Sequence, residues 1–250
     1  MHSLKDKINI AKLPKHIAVI MDGNGRWAKT KGQPRVFGHK SGVRSVRDIT
    51  EAAAELGVEY LTLYAFSTEN WSRPSLEVNA LMTLLVETVR KELTTLNKNN
   101  IRLQAIGDLE GLPSKTRAAL LEGIELTKQN NRMTLILALN YSAKWEIIEA
   151  VKSIANRVKN GDLEIENIDA TLFSNYLTTK DIPDPELLIR TSGEHRISNY
   201  LLWQAAYAEL YFTPILWPDF SKEHFYSAIL DFQNRERRFG MTSEQISKGN

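Results

Sequence analysis

The fold of this chain is decided by the stretch His16-Ile17-Ala18-Val19-Ile20-Met21-Asp22-Gly23-Asn24-Gly25-Arg26-Trp27. Its first half is a short apolar run, which predicts a buried strand. Its second half is a turn with two glycines, which let the backbone bend sharply and let a ligand approach the peptide N–H groups. Arg26 adds a planar cation suited to phosphate oxygens. The stretch therefore predicts a strand that ends in a diphosphate-binding turn, the centre of a candidate active site.

Short apolar runs alternate with segments of helical period along the rest of the chain. Six strands are predicted, at residues 16–21, 60–65, 101–106, 133–139, 187–189 and 210–212. Helices are predicted at residues 42–56, 76–96, 113–128, 144–159 and 221–235. This alternation is typical of an α/β fold, here a single domain over residues 1–250 with a central six-stranded, mainly parallel sheet flanked by helices. Residues 1–14 and 241–250 are expected to be flexible ends.

The composition excludes several classes of protein and site. The 250 residues are 42% hydrophobic and 25% charged, which is typical of a globular protein. Cysteine is absent, so disulfides, thiolate metal sites and cysteine nucleophiles are excluded. A net charge of only +2 does not support a nucleic-acid-binding field. No apolar run reaches the roughly 18 residues of a membrane span and no signal peptide is recognisable, so we expect a cytoplasmic protein that touches a membrane only at its surface.

Polar segments follow four of the predicted strands. They are residues 22–26, 67–71, 140–141 and 190–194. Ligands of open parallel sheets bind beyond the carboxyl ends of the strands, so these segments are expected to meet at one edge of the sheet. Because loops are polar in most proteins, each segment taken alone is explained equally well by its surface position. Their convergence is what favours a site.

Two other phosphate-binding patterns compete for the first turn. Residues 23–28 satisfy G-x-G-x-x-G/A after a strand, so a dinucleotide site of an oxidoreductase is the runner-up. That site requires an acidic residue at the end of a strand about 20 residues later, which is missing, and the bulky residues of segment 26–34 fit a loop better than the required helix. A Walker A loop does not occur in the sequence, which argues against an ATPase.

A carboxylate beside a phosphate cradle indicates a divalent cation between them. Asp22 cannot bind phosphate itself, and Mg²⁺ prefers one or two carboxylates together with phosphate oxygens and water. The turn therefore predicts a magnesium site at Asp22.

Other charged residues are candidates for binding anions. Arg35 and His39 lie just beyond the first turn, although a lone histidine is more often structural than functional. Arg190 and Arg196, with Ser198 behind them, form a second candidate anion site at another strand end. Taken alone, that segment is explained equally well by pairing of its arginines with surface acids.

Four segments of the chain resemble the cis-prenyltransferases, and most closely the bacterial undecaprenyl diphosphate synthases. They are HIAVIMDGNGRWA at 16–28, LTLYAFSTENW at 61–71, IRTSGEHRISN at 189–199 and WQAAYAELYF at 203–212. The likeness spans about residues 15–240 with the motifs in the family's order. It implies a homodimer of α/β subunits with a central parallel sheet and an apolar tunnel for the product chain.

The resemblance also implies a reaction. The family is Mg²⁺-dependent and adds isopentenyl diphosphate repeatedly to an allylic diphosphate, usually farnesyl diphosphate, making each new double bond cis. The implied product is undecaprenyl diphosphate, a precursor of the lipid carrier for cell-wall synthesis, released in transient contact with a membrane surface. Nucleic acid is not an implied partner.

The matching motifs imply catalytic and metal-binding roles. Asp22 matches the family's magnesium ligand and main catalytic residue, and Glu209 matches a second metal ligand. Asn70 matches the residue assigned as proton acceptor. A neutral amide is a poor base, so positioning of the substrate is the better interpretation of Asn70.

The remaining matches imply substrate-binding roles. The cradle of the allylic diphosphate matches Gly23, Asn24, Gly25, Arg26, Trp27, Arg35 and His39. The loop that closes over the substrates matches Ser67, Thr68, Glu69, Asn70, Trp71 and Arg73. The site for isopentenyl diphosphate matches Arg190, Arg196, Ile197 and Ser198.

Three further interpretations follow from the resemblance. Helices 76–96 and 113–128 are candidate tunnel walls, with Glu77 at the mouth, although most of their leucines are better explained as ordinary core. Residues 140–144 read Asn-Tyr-Ser-Ala-Lys where bacterial members commonly have Asn-Tyr-Gly-Gly-Arg, and Lys144 keeps the charge but not the bidentate fork, so no role is assigned there. The run 234–240 is either part of a dimer interface or a solvated helix end.

Other functional classes are weighed against this one. The absence of an Asp-Asp-x-x-Asp motif argues against the trans-prenyltransferases. A non-catalytic subunit of the same fold is the second hypothesis, and the joint presence of Asp22, Asn24, Arg26, Arg190, Arg196 and Glu209 argues against it.

Overall fold

The computed structural model of the protein describes residues 3–238, 242 and 245. Strands β1 to β6 span His16–Ile20, Tyr60–Ser67, Ile101–Ile106, Met133–Tyr141, Leu187–Arg190 and Glu209–Phe212. Helices α1 to α7 span Asn24–Thr30, Arg35–Leu56, Ser75–Lys98, Ser114–Thr127, Ala143–Lys159, Ala170–Ser174 and Lys222–Gln233. The six predicted strands are therefore confirmed, with ends that differ by up to two residues.

All six strands belong to one sheet, in the order β3-β4-β2-β1-β5-β6, and every neighbouring pair is parallel. The predicted α/β fold is confirmed, and the sheet is entirely parallel. From β1, the chain first builds the β2, β4 and β3 side and then returns to place β5 and β6 on the other side. This reversal of strand order opens a crevice at the carboxyl ends of β1 and β5, which is where such sheets bind ligands.

Alternate strand residues supply the two apolar faces of the sheet. Val19, Leu63 and Leu137 belong to a cluster that is completed by residues of α2, α3, α4 and α7. Ala18 and Ala138, one position away, belong to a second cluster that includes the first residue of α5. Full burial of a large aliphatic side chain stabilises the fold by about 1.5–3 kcal/mol, and a slip of one residue would exchange the two faces. The alternation therefore fixes the strand register, and with it the position of each strand end.

Two predictions near the first turn are wrong. Residues 24–30 form helix α1 rather than a loop, and α2 begins at Arg35 rather than at residue 42. A Cβ atom at Gly38 would lie only 1.9 Å from the backbone oxygen of Asn24, so glycine at this position lets the two helices pack closely. Local propensity counts such glycines as helix breakers, whereas the tertiary contact uses them. The dinucleotide alternative still fails, because β2 ends only at Ser67, far more than about 20 residues after the turn.

The amino-terminal segment packs against helix α7. Residues 3–14 contain the 3-10 helices Leu4–Lys7 and Ile10–Lys12; Ser3 Oγ donates to Glu223 of α7 at 2.8 Å, and Ile8 is buried. The mobility predicted for this segment stays a prediction. Of the predicted flexible end 241–250, all but Thr242 and Gln245 lie outside the described residues, as do residues 239 and 240 of the run 234–240. Within the described part of the chain, no helix combines the length and apolarity needed to cross a membrane.

Candidate active site

The backbone around Asp22 is fixed by Thr191, which directly follows β5, and by Trp217. The Asp22 N–H donates to Thr191 Oγ1 at 2.9 Å, and the Thr191 hydroxyl donates to the Asp22 carbonyl oxygen at 2.6 Å. The same carbonyl accepts from the backbone N–H of Trp217 at 3.0 Å. Thr191 and Trp217 are both buried, and a role was predicted for neither from the sequence, although Thr191 lies within the motif 189–199. These bonds hold Asp22 at the crevice between β1 and β5.

The Asp22 carboxylate contacts two guanidinium groups. Its Oδ2 accepts from Arg190 Nη2 at 2.8 Å and lies 3.6 Å from Arg26 Nη2. Partial burial works to raise the pKa of the Asp22 carboxyl, but hydrogen bonds from Arg190 and Ser192 and the charge of Arg190 outweigh it and hold this pKa below its ordinary value. Asp22 is therefore an ionised carboxylate at neutral pH.

Arg190 organises the second predicted anion site. Its side chain is buried at the end of β5, and Nη1 donates to the Arg196 carbonyl oxygen at 2.5 Å and to Ser198 Oγ at 2.6 Å. Its Nε is buried without a hydrogen-bond partner among the described residues. Leaving such a donor unsatisfied is costly, which makes this N–H a natural point for a ligand oxygen. Ile197, between the two bonded residues, is half-buried against the second apolar cluster.

Glu194 joins the two predicted anion sites. One oxygen, Oε1, lies 3.2 Å from Arg26 Nη1, and the other, Oε2, accepts from Arg196 Nη1 at 2.5 Å. Arg26 also donates to Ser192 Oγ at 2.5 Å. The side chains of Arg26 and Arg196 are about half exposed, so both guanidinium groups are accessible to a charged ligand that competes with Glu194. No role was predicted for Glu194 from the sequence.

The glycine turn packs too tightly for side chains. Gly23 has a φ of 109°, and a Cβ there would lie 2.9 Å from Leu216 Cδ2. A Cβ at Gly25 would lie 3.0 Å from the guanidinium carbon of Arg35, so the Arg35 side chain rests on this turn. Asn24 donates to the Met21 carbonyl oxygen at 3.3 Å. The predicted cradle thus brings Gly23, Asn24, Gly25 and Arg35 together.

Trp27 is the predicted cradle residue that the structure places elsewhere. Its indole N–H donates to Asp219 at 2.8 Å, and its ring stacks on Phe37 with 5.9 Å between centroids. These contacts support the packing of α1 on its neighbours rather than the surroundings of Asp22.

The Glu77 carboxylate contacts three side chains of the predicted cradle and closing loop. Its carboxylate lies 3.3 Å from Arg35 Nε, 3.2 Å from Arg73 Nη1 and 3.8 Å from His39 Nε2. Burial, and then the positive charge of Arg73, lowers the pKa of His39 to about 4. His39 is therefore neutral at pH 7 and, like Arg73, lines the cavity described below. Glu77 itself does not line that cavity, so its predicted place at the mouth of a tunnel stays a prediction.

The predicted closing loop contains the 3-10 helix Thr68–Ser72. The Ser67 N–H donates to Asn70 Oδ1 at 3.1 Å, and Ser67 in turn caps the helix. The side-chain oxygen Oδ1 of Asn70 therefore already accepts a hydrogen bond, which fits a role in positioning the substrate better than a role as a base. Thr68 lies beside Glu69, with 3.3 Å between Oγ1 and Oε2.

Glu209 lies at the opposite end of the sheet from Asp22. It pairs in register with Leu187, which pairs with Ile17, whereas Asp22 follows Ile20. At about 3.3 Å per residue and 4.8 Å per strand, Asp22 and Glu209 are on the order of 15–20 Å apart. Glu209 Oε2 instead accepts from Arg235 at 2.9 Å. The two predicted metal ligands therefore do not meet within this chain, since strand register and not motif order decides which end of the sheet a residue occupies.

An apolar cavity of about 240 Å³ lies between the sheet and helices α2 and α3. Alternate β4 residues Leu135, Leu137 and Leu139 line one wall, and α2 and α3 supply the others. Lining residues extend from Met21 and Asn70 beside the candidate site to Ile101 at the start of β3. Of the two predicted walls, helix 76–96 does line the cavity, but no described residue of α4 does, and α2 takes that place.

A family model described as "Putative undecaprenyl diphosphate synthase" matches residues 20–240. The chain belongs to this family. The membership predicted from the four motifs is thereby confirmed.

Two relatives and one solved structure illustrate the similarity. An isoprenyl transferase of Chlorobaculum tepidum is 56% identical over 94% of this chain and 88% of the relative. A ditrans,polycis-undecaprenyl-diphosphate synthase ((2E,6E)-farnesyl-diphosphate specific) of Vibrio vulnificus is 53% identical over 94% of this chain and 93% of the relative. The crystal structure of lavandulyl diphosphate synthase from Lavandula x intermedia, in complex with dimethylallyl diphosphate, matches with a TM-score of 0.89 and 36% identity, covering 92% of this chain and 99% of that chain.

The synthase family's implied metal fits the chemistry of Asp22 but not a preformed cluster. Within the described residues, no group of three or more His, Asp or Glu side chains could hold a metal ion. Asp22 supplies one ionised, partly exposed carboxylate, and both arginines contact the same oxygen, Oδ2. Such a ligand suits Mg²⁺ that takes its other oxygens from phosphate and water.

Lys144 lies in the segment 140–144, for which no role was predicted from the sequence. It is exposed in the first turn of α5, and its backbone N–H donates to Asn199 Oδ1 at 2.9 Å. These contacts give no reason to assign a catalytic role to its side chain.

Proposed function

We propose that this protein is a cis-prenyl chain-elongating enzyme. It condenses isopentenyl diphosphate repeatedly onto an allylic diphosphate, farnesyl diphosphate, and makes undecaprenyl diphosphate. The observation that carries the proposal is the Asp22–Arg190 ion pair at the crevice of the sheet. It connects the turn that holds Arg26 to the segment that holds Arg196, and it lies beside an apolar cavity. The name of the Vibrio vulnificus relative supports the choice of primer and product.

The allylic diphosphate binds at the glycine turn in this proposal. Arg26 and Arg35 flank the turn, and their present partners, Glu194 and Glu77, are carboxylates that a diphosphate can displace. Gly23 begins α1 without a side-chain cap, which leaves the first-turn N–H groups for phosphate oxygens. Asp22 stands between this diphosphate and the second one.

Isopentenyl diphosphate binds at the end of β5 in this proposal. Arg196 is half exposed, Ser198 offers a hydroxyl, and the buried Arg190 Nε has no partner among the described residues. Three donors of different geometry can thus meet one diphosphate. Since Arg190 also holds Asp22, the two substrates are held at a fixed separation.

The reaction forms a carbon–carbon bond while the allylic carbon–oxygen bond breaks. Arg26, Arg35 and the turn amides stabilise the charge that develops on the departing diphosphate. The proton lost from the isopentenyl unit leaves to an oxygen of this departing diphosphate. Asp22 is a weak base because its pKa is held low, and the carbonyl oxygen of Asn70 is engaged by Ser67. Asn70 therefore orients the substrate.

Magnesium would neutralise phosphate charge when bound, with Asp22 as the ligand from this chain. Glu209 is too far from Asp22 in the same chain, so it can serve such a site only from a second copy, as the predicted homodimer allows. The growing chain enters the apolar cavity between α2 and α3, and the finished product leaves to a membrane surface while the protein stays in the cytoplasm.

Product analysis tests this function. Purified protein is incubated with farnesyl diphosphate, labelled isopentenyl diphosphate and Mg²⁺, and extractable polyprenyl products are separated by chromatography. We expect a main product of 55 carbons, about 11 isoprene units by family resemblance, and none when the primer is omitted. A wild-type protein that yields no extractable product contradicts the proposal and favours the non-catalytic subunit.

A further inference from the structure

Segment 67–73 has little support of its own. Its 3-10 helix is five residues long, and most of its side chains are exposed or half-exposed. Short 3-10 helices have strained hydrogen bonds and seldom persist without tertiary contacts. Whatever holds this segment therefore decides where Asn70 lies at the mouth of the cavity.

Asn140, at the end of β4, holds one side of the segment. Its Oδ1 accepts from the indole N–H of Trp71 at 2.7 Å, and its Nδ2 donates to the backbone oxygen of Asp108 at 2.9 Å. The partners fix the orientation of the amide, because the indole can only donate and the carbonyl can only accept. The Trp71 ring also packs edge-on against Phe66 at 4.9 Å. Asn140 is buried, whereas Trp71 is about 38% exposed, so the buried amide anchors a side chain at the surface.

Asn199 holds the other side. Its Nδ2 donates to Glu69 Oε1 at 2.8 Å and to Ser142 Oγ at 2.9 Å, while its Oδ1 accepts from the Lys144 N–H. The amide thus connects the segment to the first turn of α5. Asn199 also directly follows Ser198, which lies in the proposed site for isopentenyl diphosphate.

Both asparagines adopt left-handed backbone conformations. Their φ angles are 48° for Asn140 and 59° for Asn199. Asparagine tolerates this region better than most residues, but such conformations persist only where surrounding contacts hold them. The side-chain amides of Asn140 and Asn199 form hydrogen bonds with Trp71 and Glu69, the two residues that flank Asn70 in the sequence.

We propose that Asn140 and Asn199 are positioning residues, a clasp that holds segment 67–73 and so places Asn70 and Arg73 against the substrates. The clasp rests on the proposed function for its effect on catalysis, but its effect on the segment does not. It gives a role to Asn140, which lies in the segment 140–144 for which no role was predicted from the sequence.

Glycine variants test the clasp. Asn140→Gly and Asn199→Gly keep the left-handed backbone and remove the side-chain contacts. We expect amide hydrogen exchange in residues 67–73 to rise at least about tenfold in each, because local opening is no longer opposed. We expect kcat of Asn140→Gly to fall about 10- to 100-fold, since a misplacement of 1 Å can cost that much.

Asn100→Gly is the matched control. Asn100 has a φ of 58° and a side-chain hydrogen bond to Asn131, but it precedes β3 at the far end of the sheet. We expect this variant to leave kcat and the exchange of residues 67–73 unchanged. If Asn140 only supports the β3–α4 connection, its variant will instead raise exchange around Asp108.

A charge exchange gives a second test that does not depend on loss of a side chain. Asn199→Asp places a carboxylate against Glu69 and should release the segment. Adding Glu69→Gln supplies an amide donor to the new carboxylate, so the double variant should regain protection of residues 67–73 relative to Asn199→Asp alone.

The outcomes separate this inference from the proposed function. Unchanged exchange in both glycine variants, or no recovery in the double variant, overturns the clasp even when wild-type protein makes product. Raised exchange in a protein that makes no polyprenyl product supports the clasp and rejects the proposed function.

Discussion

Two polar groups at opposite ends of the sheet differ in how completely their hydrogen bonds are satisfied. At the amino end of β1, buried His16 has both ring nitrogens engaged, Nδ1 with the Pro183 carbonyl and Nε2 with Thr62 Oγ1, each at 2.6 Å. At the carboxyl end of β5, Arg190 is equally buried, yet its Nε has no partner among the described residues. Arg190 therefore has a donor left for a ligand oxygen at the crevice, whereas His16 has none. We therefore expect substitutions of His16 to affect mainly stability and substitutions around Arg190 to affect mainly the reaction.

The largest effect is expected at Asp22. Asp22→Asn keeps an acceptor for Arg190 but removes the negative charge, so turnover should fall on the order of 1,000-fold. The free energy of unfolding should fall as well, because the buried Arg190 guanidinium loses its charged partner. Steady-state kinetics and urea denaturation measure the two quantities. Turnover near the wild-type value would remove Asp22 from its assigned role.

Mixing two impaired variants tests whether Glu209 contributes to the metal site of a second copy of the chain. If Glu209 acts from a second copy, Asp22→Asn and Glu209→Gln should each be impaired alone. Their mixed dimers contain one intact site, so random mixing should restore about a quarter of wild-type activity. Co-refolding of the two chains followed by product assay measures this. Full activity of Glu209→Gln alone would show that Glu209 is not a required ligand.

A smaller effect is expected at Arg196. Its side chain is 59% exposed, so Arg196→Ala should leave stability unchanged. Loss of one charged donor should raise the KM for isopentenyl diphosphate about 10- to 100-fold, with little change for the allylic substrate. Arg44→Ala, at a more exposed arginine of α2, is the control. An unchanged KM for isopentenyl diphosphate would place the second diphosphate elsewhere.

The apolar side of the molecule predicts an effect on product length. Leu137→Trp fills part of the cavity, so the main product should shorten by one or more isoprene units. The same substitution at Leu126, an exposed residue of α4, should leave product length unchanged. Chromatography of the products compares the two variants, and equal shortening by both would argue against the cavity as the product site.

The smallest change in activity is expected at His16. Burial lowers its pKa to about 4, below the ordinary 6.5, so the unfolded chain binds a proton more readily between these values. The neutral side chain thus contributes stability that is complete above pH 6.5 and is lost as pH falls to 4, about 3 kcal/mol in all. Urea denaturation of His16→Gln should show a shallower pH dependence than wild type, with activity at pH 7 retained. In His39→Gln the pH dependence of the free energy of unfolding should also become shallower, and activity at pH 7 should fall because His39 lies at the candidate site. Equal activity of the two variants would contradict this difference between His16 and His39.

The strands of the sheet were predictable from the sequence, whereas helix α1 and several site residues were not. The apolar runs predicted all six strands, because buried parallel strands are nearly continuous in hydrophobicity. Helix α1 was missed because a glycine-rich stretch predicts a break in a helix. Only the packing of α2 on α1, where a Cβ at Gly38 would lie 1.9 Å from the Asn24 backbone oxygen, shows why glycine is needed. Thr191, Trp217 and Glu194 were missed as site residues since their roles depend on contacts with distant parts of the chain.

The sequence by itself determined the sheet, the family and the group of charged residues that follow its strands, since these depend on local periodicity and on motifs read in order. Tertiary structure alone decided how those residues are grouped. It paired Asp22 with Arg190 across 168 positions of sequence and sent Glu209 to the opposite end of the sheet. It also placed α2, and not α4, against the cavity. The physical reason is that strand order and register, which fix what lies beside what, are set by packing between distant segments.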